Sequence, residues 1–263
     1  MFLKNLMILS TLCLTTQLAQ AEVVTQVSTS KYDILNSKNP KGYQQFRLDL
    51  IEMQDIANPN KLGWRVFYEK PSEGPHAEWF DAVKQGNLAK VKQMVEQGQN
   101  LEVTDDASLQ QTALGWAAFI GYEDLFDYLV EQGANIWATD KGDVPNVMKS
   151  AGLGKNVNVF KKAHQLVQSK VDLNDQKSDT QGETVLIVAS SNGRNEIVKY
   201  LLDLGANTNL VTTEKNTQHP AYDQDALTFA CRNGHLDTAK LLVKYGAINH
   251  RTQMPACNYD VKN

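Results

Sequence analysis

Five histidines, three cysteines and two close pairs of aspartates are the side chains best able to do chemistry in this 263-residue chain. His76, His164, His219, His235 and His250 stand far apart, and none pairs with another histidine or a cysteine at a metal-ligand spacing. A nucleophile elbow, a phosphate loop and a zinc-binding His-Glu-x-x-His helix are all missing from the sequence. Asp105-Asp106 and Asp223/Asp225 could in principle share a proton, but both pairs lie in polar stretches where solvated acids are commonplace. The sequence therefore predicts no catalytic residue, no metal and no cofactor.

The amino terminus reads as an export signal. Lys4 gives the start a positive charge, residues 6–14 form a short apolar run, and Ala19-Gln20-Ala21 offers small residues at a cleavage site. Cys13 follows Leu12 rather than a small residue, which argues against a lipid anchor. No segment is long and apolar enough to span a bilayer. The expectation is cleavage after Ala21 and a protein in the bacterial periplasm or outside the cell, without membrane insertion. A formal net charge of −4 gives no electrostatic reason to expect nucleic acid as a partner.

Removal of residues 1–21 leaves Cys231 and Cys257 as the remaining cysteines. In an oxidising compartment they could form a disulfide closing a loop of 26 residues, worth ~3 kcal/mol by chain entropy. Cys231 could equally be a small buried thiol in the core. The sequence leaves both readings open.

These side chains are carried by a repeating frame. Glycines recur twelve residues apart as Gly86/Gly98, Gly121/Gly133, Gly193/Gly205 and Gly234/Gly246. Four positions before each first glycine stands Ala82, Ala117, Ala189 or Ala230, and seven before it Trp79, Leu114, Leu186 or Leu227. Eight and nine after it come Met94-Val95, Leu129-Val130, Leu201-Leu202 and Leu242-Val243. Residues three and four apart share a helix face, so each unit reads as two short helices. The first glycine breaks the first helix in a turn and the second stops the next helix at its C′ position.

Thr112-Ala113-Leu114-Gly115-Trp116-Ala117-Ala118, Gly234-His235-Leu236 and Gly205-Ala206-Asn207 together resemble the ankyrin repeat. The resemblance implies an all-α solenoid of about five helix-turn-helix units over residues 76–250. The third unit is degenerate and is aligned here on Gly154, Ala163 and Leu166-Val167. Residues 22–75 are expected to form an N-terminal capping segment, and residues 251–263 a short tail lying over the last repeat. His235 falls on the family's turn histidine, which implies a structural role.

The family's binding surface is its concave face, built from the fingers and the two positions before each turn glycine. Here those positions are Lys84-Gln85, Phe119-Ile120, Ser191-Asn192 and Arg232-Asn233. Phe119 and Ile120 are apolar at positions expected to be exposed, which points to a partner. Trp137 either joins them or packs against the irregular third unit. The finger before the last repeat is long, with extra residues around His219, Pro220 and Tyr222. The resemblance implies a monomeric, non-enzymatic scaffold that binds another protein. Exported single-domain members imply toxin immunity, with protection of a periplasmic enzyme such as a catalase as the alternative. A secreted effector, or an enzyme with its site in residues 22–75, stands behind these.

Overall fold

The computed structural model describes residue 72 and residues 74–106, 110–141, 144–154 and 156–257. The export signal and nearly all of the capping segment lie outside the described residues, as does the end of the tail.

Ten helices run through the described residues as five antiparallel pairs: α1 (Ala77–Lys84) with α2 (Leu88–Glu96), α3 (Ala113–Ile120) with α4 (Glu123–Glu131), α5 (Val147–Leu153) with α6 (Val157–Val167), α7 (Val185–Ser191) with α8 (Asn195–Asp203), and α9 (Ala226–Arg232) with α10 (Leu236–Lys244). The first helices pack in sequence, α1 on α3, α3 on α5, α5 on α7 and α7 on α9. The second helices form an adjoining layer in which α4 meets α6, α6 meets α8 and α8 meets α10. Between the first two units the chain forms a short antiparallel hairpin of β1 (Thr104–Asp105) and β2 (Gln111–Thr112). The all-α solenoid follows directly from these pairings.

The first helices of the second to fifth units start at a side-chain cap. Thr112, Asn146, Thr184 and Asp225 cap α3, α5, α7 and α9, each side-chain oxygen accepting a backbone N–H three residues on. Such a cap is worth about 1 kcal/mol. Of the five second helices, α6 ends at Gln168, while the other four end at Gly98, Gly133, Gly205 and Gly246, all with φ between 85° and 90°. There the following residue donates back to the helix, as Ala134 does to Leu129 and Ala206 to Leu201. That bond defines a Schellman turn, which a left-handed glycine permits at little cost. The chain then enters each finger through a repeated side-chain turn: Asn100, Asn135, Asp172 and Asn207 each accept the backbone N–H two residues later.

The third unit keeps the register of its neighbours, but one residue away from where Gly154 suggests. Asn146 and Asn156 cap its two helices as Thr112 and Tyr122 delimit those of the second unit. By that spacing position 155 of the sequence, a lysine, aligns with the turn glycines of the other units. Counted from it, Met148 and Ala151 fall in the columns of Leu114 and Ala117, and all four are buried. Gly154 has an ordinary extended backbone. Its lack of a side chain serves another purpose: a Cβ there would lie 2.4 Å from the carbonyl oxygen of Phe119. Glycine lets α5 press directly on the end of α3.

Candidate partner-binding surface

A surface that grips a protein must first be rigid. Here the turn of each unit is tethered to the unit before it. The Tyr122 hydroxyl donates to the Lys84 carbonyl oxygen at 2.8 Å. Asn156 donates to Gly121 at 2.9 Å, Arg194 to Leu153 at 2.9 Å, and Asn233 to Ser191 at 2.7 Å. These accepting carbonyls stand at or next to the ends of α1, α3, α5 and α7, where helix geometry leaves oxygens without intrahelical partners. A phenol, an amide and a guanidinium thus perform one task. His235 adds a bond to the backbone of Ser191, and its ring lies against Gly193. Burial, helped by the positive charge of Arg194, holds its imidazole below the ordinary histidine value, while the bond to Ser191 pulls the other way. Burial likewise raises the Tyr122 phenol above its usual range.

The positions expected to be exposed are mostly buried. Ile120 is fully buried and Phe119 is 4% exposed, its ring edge-on to Trp116 at 6.2 Å. The close approach of Gly154 to the Phe119 carbonyl explains this, because α5 closes over the end of α3. Ser191 and Asn192 are also buried. Both turn back on their own helix: the Ser191 hydroxyl and the Asn192 amide each donate to the Val188 carbonyl.

Lys84 is buried too. Its ammonium lies 2.5 Å from the Asp105 carboxylate, donates to the Ser72 hydroxyl at 2.7 Å, and sits 4.8 Å from the Trp116 ring. Burial lowers the Lys84 pKa and the Asp105 charge opposes that shift. Asp105 is correspondingly no solvated finger acid. Its carboxylate also accepts the Trp116 indole N–H. A second buried pair joins Lys149 to Asp179, with Lys149 also donating to the Glu183 carbonyl. Asp225 is another buried acid rather than a solvated one: it caps α9 and accepts the His250 backbone N–H at 2.6 Å.

The remaining candidates retain solvent access. Gln85 and Trp137 are half-buried, and Lys170 stands over the Trp137 indole at 5.4 Å. Trp137 also packs on the core beside the third unit. His219, Tyr222, Arg232 and Asn233 gather at one end of the solenoid. Arg232 is exposed and donates to the Pro220 carbonyl at 2.7 Å, joining α9 to the long finger. The finger is pinched at its base, where Thr212 and Gln224 exchange backbone and side-chain hydrogen bonds. Within it Tyr222 donates its backbone N–H to His219, and His219 accepts from Ala221.

The tail completes this end. Arg251 donates to the carbonyls of Tyr222 and Asp223, and His250 lies 2.8 Å from the Asp223 carboxylate. Asn249 pairs with Met254, and Cys257 is bonded to Cys231 across a Cα–Cα distance of 5.3 Å. Of the two open readings for the cysteines, the structure contains the disulfide. Sequence spacing carried no sign of Arg194, Asn156 or Arg251, whose side chains donate to backbone carbonyls about 28 to 41 residues away, nor of His250, whose backbone N–H donates to the Asp225 carboxylate 25 residues back.

Among the described residues no group of three His, Cys, Asp or Glu side chains could hold a metal ion. Among them also, no helix is long and apolar enough to cross a membrane.

Family comparison agrees with the geometry. Residues 110–141 match the ankyrin repeat, and residues 147–254 match a model of three ankyrin repeats in series. The chain belongs to the ankyrin-repeat family. The second match begins at the first residue of α5, so it includes the degenerate third unit. A curated relative, the cell division cycle-related protein res1/sct1 of Schizosaccharomyces pombe, is 29% identical over 146 residues. That stretch is 52% of this chain but only 23% of the relative. Ankyrin repeats are a scaffold for binding other proteins, and this chain carries that scaffold.

Proposed function

We propose that this ankyrin chain is an exported binding protein that holds one protein partner, sequestering it as an immunity protein does a toxin. The Cys231–Cys257 disulfide carries the export reading. Such bonds persist in oxidising compartments and are rare in the cytosol. The leader-like residues 1–21 support the same placement.

The gripping surface in this reading is the end of the solenoid formed by the long finger, Arg232 and the tail. His219, Tyr222 and Arg232 meet there with solvent access, whereas Lys84, Phe119, Ile120, Ser191 and Asn192 are engaged inside the protein and Asn233 is committed to the Ser191 carbonyl. Ordered loops on a rigid scaffold are where solenoids commonly hold their partners.

Fractionation of the native organism, followed by crosslinking and identification of the bound protein, tests the proposal. A periplasmic or secreted pool bound to a toxin supports it. A periplasmic redox enzyme as the bound protein would replace immunity with enzyme protection. A pool confined to the cytoplasm would overturn export.

A further inference from the structure

Cys231 sits buried in α9, one residue before Arg232, while Cys257 is half-buried in the tail. Between them the chain makes three kinds of contact with the long finger. Arg251 donates to Tyr222 and Asp223, His250 meets the Asp223 carboxylate, and the His250 backbone donates to Asp225 at the base of α9. Arg232 reaches the same finger from the other side through Pro220. Finger, tail and α9 thus close on one another, with the disulfide as the covalent fastening. Apart from the His250 amide bond to the buried Asp225 carboxylate, the tail's remaining contacts with the finger involve exposed or half-exposed side chains, which water can replace. The repeats beneath are fastened differently, by buried columns and turn tethers that do not involve the tail.

We propose that the Cys231–Cys257 disulfide is a redox latch on the long finger: reduction releases the tail and loosens the finger while the repeats stay folded. A dithiol reductant supplies the electrons. Its thiolate attacks the Cys257 sulfur, the more accessible of the two, and the S–S electron pair leaves on the Cys231 sulfur, which takes up a proton. The reductant's second thiol then attacks the mixed disulfide, expelling Cys257 as a thiol and leaving the reductant as its own disulfide. Two protein thiols and one oxidised reductant result. The device is independent of which protein the scaffold binds.

Hydrogen exchange on the full chain, with and without dithiothreitol, tests the latch. Reduction is expected to speed exchange at least tenfold across residues 213–223 and 250–256, with the amides of α7 and α8 unchanged. Cys257→Ser without reductant should reproduce that pattern. Unchanged protection in the finger would overturn the proposal, and so would equal loss of protection throughout α7 to α10. Arg251→Ala with the disulfide intact separates the fastening from its neighbours. The proposal holds if that variant loosens the finger by less than threefold, and fails if it matches reduction.

Discussion

Arg194, at the start of α8, donates its Nε to the carbonyl oxygen of Leu153 at 2.9 Å, bridging 41 residues of sequence. The bond ties the fourth unit to the end of α5 in the third. Arg194 is buried, so truncation would strip a buried carbonyl of its donor. Arg194→Ala should cost about 2–3 kcal/mol, read as a lower urea midpoint. A change below about 0.5 kcal/mol would mean that the tether contributes little.

Asp105 makes a comparable demand at the other end. Asp105→Asn removes the nearest countercharge of the buried Lys84 ammonium, while the indole of Trp116 keeps an acceptor. Breaking a buried pair from one side costs about 3–5 kcal/mol. The loss should appear in thermal unfolding, and Lys84→Met/Asp105→Leu together should recover much of it.

Gly154→Ala tests the close approach of α5 to α3. The added methyl would meet the Phe119 carbonyl at 2.4 Å, and a backbone oxygen cannot swing aside. Overpacking of this kind costs about 1–3 kcal/mol. Gly133→Ala has open space around it and should show only the cost of its left-handed backbone, about 1 kcal/mol.

His235 makes stability depend on pH. Its folded-state pKa is held below the ordinary histidine value by burial and by Arg194. Below about pH 6.5 the unfolded chain therefore takes up a proton that the folded chain refuses. Stability falls as pH drops from there to the folded pKa, and above pH 7 the group contributes no slope. His164, likewise lowered by burial, acts in the same direction. His235→Gln should flatten part of the decline between pH 7 and 5 in denaturant titrations. An unchanged slope would assign that decline to other groups.

The repeat was legible because it depends on residues with few substitutes. Left-handed helix ends call for glycine, and tight packing of first helices calls for Ala82, Ala117, Ala189 and Ala230. Where position 155 lacks its glycine, the nearest one, Gly154, drew the register one residue off. The surface was less legible for a related reason. Whether Phe119 faces a partner or a neighbour depends on how closely the next unit approaches, and a glycine 35 positions later decides that. The Lys84–Asp105 pair hid in the same way, since spacing within one unit carries no trace of an ion pair between two.

The central claim is that the solenoid holds a protein partner at the end where the long finger, α9 and tail meet. The most direct measurement is recovery of that partner from a periplasmic extract of the native organism, using wild type beside His219→Ala/Tyr222→Ala. The account predicts one partner bound by the wild type and recovered at least tenfold less by a double variant that keeps its urea midpoint. Equal recovery by both proteins would contradict it, and would move the binding surface away from the finger.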